Sequence, residues 1–150
     1  MIFRGTFEHA LDAKHRLTVP AKFRAALSGG VVLAASHEVS PDSPRSVSIW
    51  TPAGYEAFTT QTLSGLNPSS PRAWELDRFF SNLSFDSELD SANRVMIPPP
   101  LIRYADLDKE VIVTGSGKCI EVWDRQSYDG YREDFLTRIP EIAASLGDTV

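Results

Sequence analysis

Apolar residues fall at alternate positions in two separate stretches of this chain. In "LDAKHRLTVP", Leu11 to Pro20, the alternation is that of Leu17 and Val19; in "LDSANRVMIP", Leu89 to Pro98, it is that of Val95 and Ile97. A period of two is that of a strand with one buried face. Each stretch therefore predicts a short strand, a charged turn and an apolar outgoing strand that proline stops. Aligned, the stretches pair Phe7 with Phe85, Leu11 with Leu89, Asp12 with Asp90, Arg16 with Arg94, Val19 with Ile97 and Pro20 with Pro98 at one constant offset.

The similarity continues in the same order beyond each proline. A short helix-compatible piece follows ("AKFRAAL", then "PPLIRYADL"), then a β-branched run ("VVLAA" from Val31, "VIVTG" from Val111). A loop and a strand ending in tryptophan come next ("VSIW" to Trp50, "IEVW" to Trp123), and then a helix. Thr51 before Pro52, and Asp124, supply the N-caps of those helices. Tyr128, Tyr131 and Phe135 form a helical stripe; Tyr55 and Phe58 begin a weaker one. Between the halves, Ser70 caps Pro71, and Leu76, Phe79, Phe80 and Leu83 line one face of a further helix, expected to pack across both halves. Beyond about Pro140 the signals are weak and a frayed tail is expected.

The chain thus reads as a mixed α/β (α+β) protein. Its parts are a first repeat over 1–64, a linker and connecting helix over 65–84, a second repeat over 85–138 and a tail over 139–150. Halves of about 70 residues are marginal alone, so they are expected to pack together about a pseudo-two-fold axis. Such an axis brings two copies of the charged turn onto related positions of one surface.

Composition adds little to the fold but narrows the function. The apolar share of 42% and charged share of 23% are those of a soluble globular protein. No apolar run approaches the ~18 residues of a membrane span, and the N-terminus lacks the apolar region of a secretory signal. Cys119 is the single cysteine, which rules out an internal disulfide and a multi-cysteine zinc site. The expected compartment is the cytoplasm. A net charge of −5 argues at first against nucleic acid, but the charge is uneven. Residues 1–24 hold Arg4, Lys14, Arg16, Lys22 and Arg24 against Glu8 and Asp12; the remainder holds ten basic residues against eighteen acidic ones. A local basic cluster can still recognise anions, because screening is short-ranged.

The turns concentrate the chemistry. Each pairs an aspartate with an arginine four residues on, Asp12 with Arg16 and Asp90 with Arg94. The residue before each arginine, His15 or Asn93, occupies a place where a tight turn often needs positive φ. The aspartate can accept backbone N–H bonds, pin the turn and orient the arginine. An oriented guanidinium suits bidentate contact with guanine or phosphate. An isolated exposed pair of this kind would be an ordinary surface salt bridge; its recurrence in both halves favours a binding role. Lys14 and His15 add donors in the first copy alone, so that loop should bind anions more strongly.

On these residues the chain resembles the MraZ family of bacterial transcriptional regulators, tandem members of the AbrB-like swapped-hairpin superfamily. The resemblance rests on "FRGTFEHALDAKHRLTVPAKFR", "LDSANRVMIPPPLIRYADLDKEVIVTGSG" and "IEVWD", and spans nearly all of 1–138. It implies two tandem swapped-hairpin repeats forming a small intertwined β-barrel with peripheral helices. It also implies a nucleoid-associated protein that binds double-stranded DNA as a ring-shaped homo-oligomer. The implied targets are direct repeats upstream of the division and cell-wall gene cluster, its own promoter included. Arg16 and Arg94 are then the candidate base or phosphate contacts, with Lys14, His15 and Arg4 assisting and Asp12, Asp90 and Asn93 shaping the loops. Family loops usually carry glycine just before the arginine; His15 and Asn93 depart from that.

Other readings are weaker. "GSGK", Gly115 to Lys118, lacks the full phosphate-loop spacing and predicts a hairpin turn. His9, His15 and His37 have no partners at metal-ligand spacing, so neither metal nor other cofactor is expected. An aspartic dyad of Asp12 and Asp90, a hydrolase, needs carboxylates ~3 Å apart, yet each neighbours its own arginine, which keeps both ionised. An antitoxin of the swapped-hairpin kind normally has one hairpin unit and a disordered tail, against two units and a short tail here. The expectation is a binding protein and no enzyme, with no small-molecule substrate and no membrane partner.

Overall fold

A computed structural model of the chain describes residues 2–37 and 42–148. The first half runs β1 (Phe3–Ala10), β2 (Arg16–Thr18), α1 (Ala21–Arg24), β3 (Val31–Ala35), β4 (Val47–Trp50) and α2 (Pro52–Leu63). After α3 (Pro71–Asn82), the second half runs β5 (Ser84–Ser87), β6 (Arg94–Met96), α4 (Pro99–Tyr104), β7 (Glu110–Gly117), β8 (Ile120–Asp124) and α5 (Arg125–Asp148). The repeat read from the sequence is therefore a repeat of structure.

Six strands form one antiparallel sheet in the order β1-β7-β8-β4-β3-β5, and β2 pairs with β6 in a second, short ladder. Exchanging β1 with β5, β3 with β7 and β4 with β8 turns the six-strand order into its own reverse. A pseudo-two-fold axis thus passes between β4 and β8, where Ser48 faces Glu121, and between β2 and β6, where Leu17 faces Val95. The registers obey it: Phe7 opposite Val113 in one half matches Phe85 opposite Leu33 in the other. Each half gives its first strand to the other half's hairpin, β1 to β7 and β5 to β3. The hairpins are exchanged, as the resemblance implied.

The alternation explains the layers. Leu17, Val19, Val95 and Ile97 share one buried core with Val31, Leu33, Val111 and Val113. The residues between the last four point to the sheet's other face. There Val32 and Trp50 meet Tyr55 and Phe58 of α2, while Ile112 and Trp123 meet Tyr128 and Tyr131 of α5. Both faces of β3 and β7 are covered, which is why these strands read as continuous apolar runs. Gly115 permits the closest approach: a Cβ there would run into the backbone of Phe3 and Arg4.

Helix α3 starts where its signals say. The Ser70 hydroxyl accepts from Ala73 N at 3.1 Å, with Pro71 at the first helical position. Its Phe80 packs on Tyr55 and Phe58 of the first half, and Phe79 on Tyr104 of the second. Ala73 and Phe80 are its buried residues; Leu76, Phe79 and Leu83 are half-buried. Thr51 caps α2, accepting from Gly54 N at 3.0 Å. Asp124 accepts from Ser127 N at 3.3 Å ahead of α5. That helix departs from expectation, running through Pro140 to Asp148 as one element. Proline removes one N–H donor; the surrounding residues 138–147 are exposed, so the orphaned carbonyl can turn to water. No helix among the described residues is long and apolar enough to cross a membrane.

Exchanged strands make the halves mutually dependent, so they should unfold together. In single-tryptophan variants that keep Trp50 or Trp123, urea midpoints read by fluorescence are expected to coincide. Two separated midpoints would show that the halves fold independently.

Candidate functional site

Each charged turn is built by its aspartate. Asp12 Oδ1 accepts from the backbone N–H of Lys14 and of Arg16, both at 2.9 Å, and Oδ2 accepts from Arg16 Nε at 2.6 Å. Asp90 repeats the set: Oδ1 accepts from Ala92 N and Arg94 N at 2.9 Å, and Oδ2 from Arg94 Nε at 3.0 Å. The backbone closes around these bonds, with His15 N donating to Asp12 O at 3.0 Å and Asn93 N to Asp90 O at 2.9 Å. The residue after each turn is left-handed, His15 at φ 58° and Asn93 at φ 60°. Glycine holds that position at least cost; asparagine and histidine are among the side chains that tolerate it.

Each turn is also tied to the opposite half. The His15 carbonyl accepts from Ile97 N at 2.9 Å, and the Asn93 carbonyl from Val19 N at 3.0 Å. These bonds extend the β2–β6 ladder, in which Arg16 faces Met96, Leu17 faces Val95 and Thr18 faces Arg94. Leu17 and Val95 are buried. The pleat then sends Arg16, Thr18, Arg94 and Met96 to the opposite, outward face. Arg16 and Arg94 are diagonal neighbours there, with Cα atoms roughly 7–8 Å apart in such ladders. Their side chains are 30% and 34% exposed, so neither is sealed in the core. Only Nε of each guanidinium is held; the two terminal nitrogens have no hydrogen-bond partner among the described residues.

The remaining sequence candidates divide. Lys14 and His15 are exposed at the first turn, while the matching positions in the second are Ala92 and Asn93. The charge on the two turns is unequal, as expected. Arg4 is not brought to this face. It pairs with Ser116 near the start of β1, and six residues of strand to Ala10 span about 20 Å. Sequence reading missed Thr18 and Met96 on the outward face, although alternation from Leu17 and Val95 implies them. It also missed Arg24, whose Nε donates to the Val19 carbonyl at 2.9 Å and steadies the end of β2. "GSGK" lies in the β7–β8 hairpin, with Gly117 at φ 83° and Ser116 N donating to Cys119 O at 2.9 Å. Asp12 and Asp90 share no bond: the contacts of each carboxylate stay within its own turn.

The same bonds hold both carboxylates ionised. Asp12 is lowered from 3.8 to about 2, chiefly by the Arg16 N–H, then by the Arg16 side chain and the Lys14 N–H. Asp90 is also lowered, chiefly by the Arg94 N–H. A depressed carboxylate stabilises the fold above its ordinary range, and this stabilisation is lost as pH falls through the folded value. The first turn should keep its geometry at pH 4 and lose it towards pH 2. An NMR titration of the Asp12 carboxyl carbon checks this. In Arg16→Ala the midpoint should rise only part of the way to 3.8, because both backbone donors remain; a complete return would show that the side chain alone shapes the turn.

A family model described as "MraZ protein, putative antitoxin-like" matches residues 2–78 and 84–145. Among curated proteins, the chain is 36% identical over 130 residues to the transcriptional regulator MraZ of Micrococcus luteus, covering 87% of this chain and 86% of that protein. It is 32% identical over 146 residues to that of Mesoplasma florum, covering 97% and 96%. It is 32% identical over 149 residues to that of Dictyoglomus thermophilum, covering 98% and 97%. With both repeats, both Asp-x-x-x-Arg turns and the exchanged strands in place, the chain belongs to the MraZ family.

Proposed function

We propose that this chain is a sequence-specific, DNA-binding transcriptional regulator that presents the β2–β6 ladder to the major groove. The observation that carries the reading is the placement of Arg16 and Arg94 as diagonal neighbours on one outward face, each gripped at Nε by its own aspartate. A guanidinium held at Nε offers its two terminal nitrogens as a fork, the geometry that guanine O6 and N7 accept. A two-stranded ribbon fits the groove, which is about 12 Å wide. Lys14 and His15 add phosphate contacts on the first-turn side. Asp12, Asp90 and Asn93 hold the loops in shape. Arg4, far up β1, lies outside this footprint. The names of the relatives agree with a regulator of transcription.

The finer reading follows the family. The chain acts in the cytoplasm, at the nucleoid, on repeats upstream of the division and cell-wall gene cluster, its own promoter included. One copy with a net charge of −5 and few basic contacts binds weakly. Several copies in a closed ring engage successive repeats at high effective concentration. The work is binding, and it needs neither cofactor nor small-molecule substrate.

Gel-shift titration on the DNA upstream of the chain's own gene tests this. Arg16→Ala and Arg94→Ala should each lose about tenfold or more in affinity, since one bidentate arginine–base pair is worth ~1–3 kcal/mol. Arg16→Lys should not restore binding, because an ammonium cannot reproduce the fork. Affinity should also fall steeply with salt. Equal affinities for the wild type and both alanine variants would refute the assignment.

A further inference from the structure

Met96 is a large apolar side chain, yet it is 52% exposed. Single exposed apolar residues are ordinary; the position of this one is not. It stands on the outward face of the β2–β6 ladder, directly across from Arg16. Among the described residues, the other strongly exposed large apolar side chains lie elsewhere: Ile2 beside β1, Trp74 on α3, and Leu136, Ile139, Ile142 and Leu146 along α5. The pseudo-two-fold axis relates Met96 to Thr18, which faces Arg94 in the same way. Each arginine therefore has a methyl-bearing neighbour directly opposite, and no other side chain of the ladder points outward.

We propose that Met96 and Thr18 are specificity-determining residues that read thymine methyl groups beside the bases contacted by Arg16 and Arg94. The inference rests on the DNA-binding reading above and names what the same face recognises. The thymine C5-methyl is the apolar feature among the base-edge groups of the major groove, where the rest donate or accept hydrogen bonds. Residues directly opposite in an antiparallel pair stand about 4.5–5.5 Å apart at Cα, and successive bases rise about 3.4 Å. A methyl reader opposite an arginine thus falls one or two base pairs from that arginine's base. The two sides differ in reach. The flexible thioether of Met96 covers more of a methyl than the short Thr18 side chain does, so discrimination should be greater on the Met96 side.

The test uses the full-length protein and the tightest duplex it selects from a random-sequence library. Each thymine in turn is replaced by deoxyuridine, which removes only the methyl group. For the wild type, at least one replacement should weaken binding about fourfold, the equivalent of withdrawing one buried carbon. Met96→Ala, at an exposed position, should bind the thymine and deoxyuridine duplexes equally at that site, whereas Met96→Leu should still discriminate. Thr18→Ser should abolish a smaller preference on the other side of the axis. If the wild type selects no duplex, the DNA-binding reading fails and this inference with it. If it binds but ignores every deoxyuridine replacement, or if Met96→Ala still discriminates at each site, the inference alone is overturned.

Discussion

The burial of Leu17 against Val95 governs the face this protein shows to its surroundings. Both side chains sit on the pseudo-two-fold axis and in the one shared core. Strand residues alternate with a period of two, so burying these two leaves no choice for their neighbours: Arg16, Thr18, Arg94 and Met96 must face outward together. A one-residue slip would bury the arginines and expose the core. The ladder is too short to be stable alone. It is fixed by the turns at either end, each of whose carbonyls accepts a backbone N–H from the other half.

Strand exchange turns that local pairing into a rigid frame. With β1 held by β7 and β5 by β3, neither half can shift its turn without disturbing the other half's hairpin. The turns themselves are not relaxed. A non-glycine residue in the left-handed region costs roughly 1–2 kcal/mol, and both His15 and Asn93 sit there. Asp12 and Asp90 offset this strain by accepting three bonds each, which also sets the direction of each arginine. Orientation is thus settled before any ligand arrives, so less side-chain freedom remains to be lost on binding.

Much of this was legible in the sequence because local chemistry repeats. Asp, Arg and the prolines recur at one offset, and the cap at Ser70 and the demand for positive φ at His15 and Asn93 follow from residue type. The pairing of β1 with β7 was not legible from pattern alone, since equivalent strands in two similar halves satisfy the same alternation. The resemblance implied only that the two repeats intertwine; the structure supplies the pairing. Arg4 was grouped with the first turn from closeness in sequence, which says nothing about distance along an extended strand; it stands opposite Ser116 near the start of β1. The continuation of α5 past Pro140 was missed because a proline weakens a helix without always ending it. Met96 was overlooked because a methionine between Val95 and Ile97 reads as core by residue type, although the alternation itself sends it outward.

The central claim is that two arginines, one from each half, meet adjacent parts of one major groove. Dimethyl sulfate footprinting measures this directly, because the reagent methylates guanine N7, which lies in that groove. Two separate guanine protections are expected with the wild-type protein, one lost in Arg16→Ala and the other in Arg94→Ala. Protections that survive in both variants, or a complex that leaves every guanine N7 open to the reagent, would contradict the account.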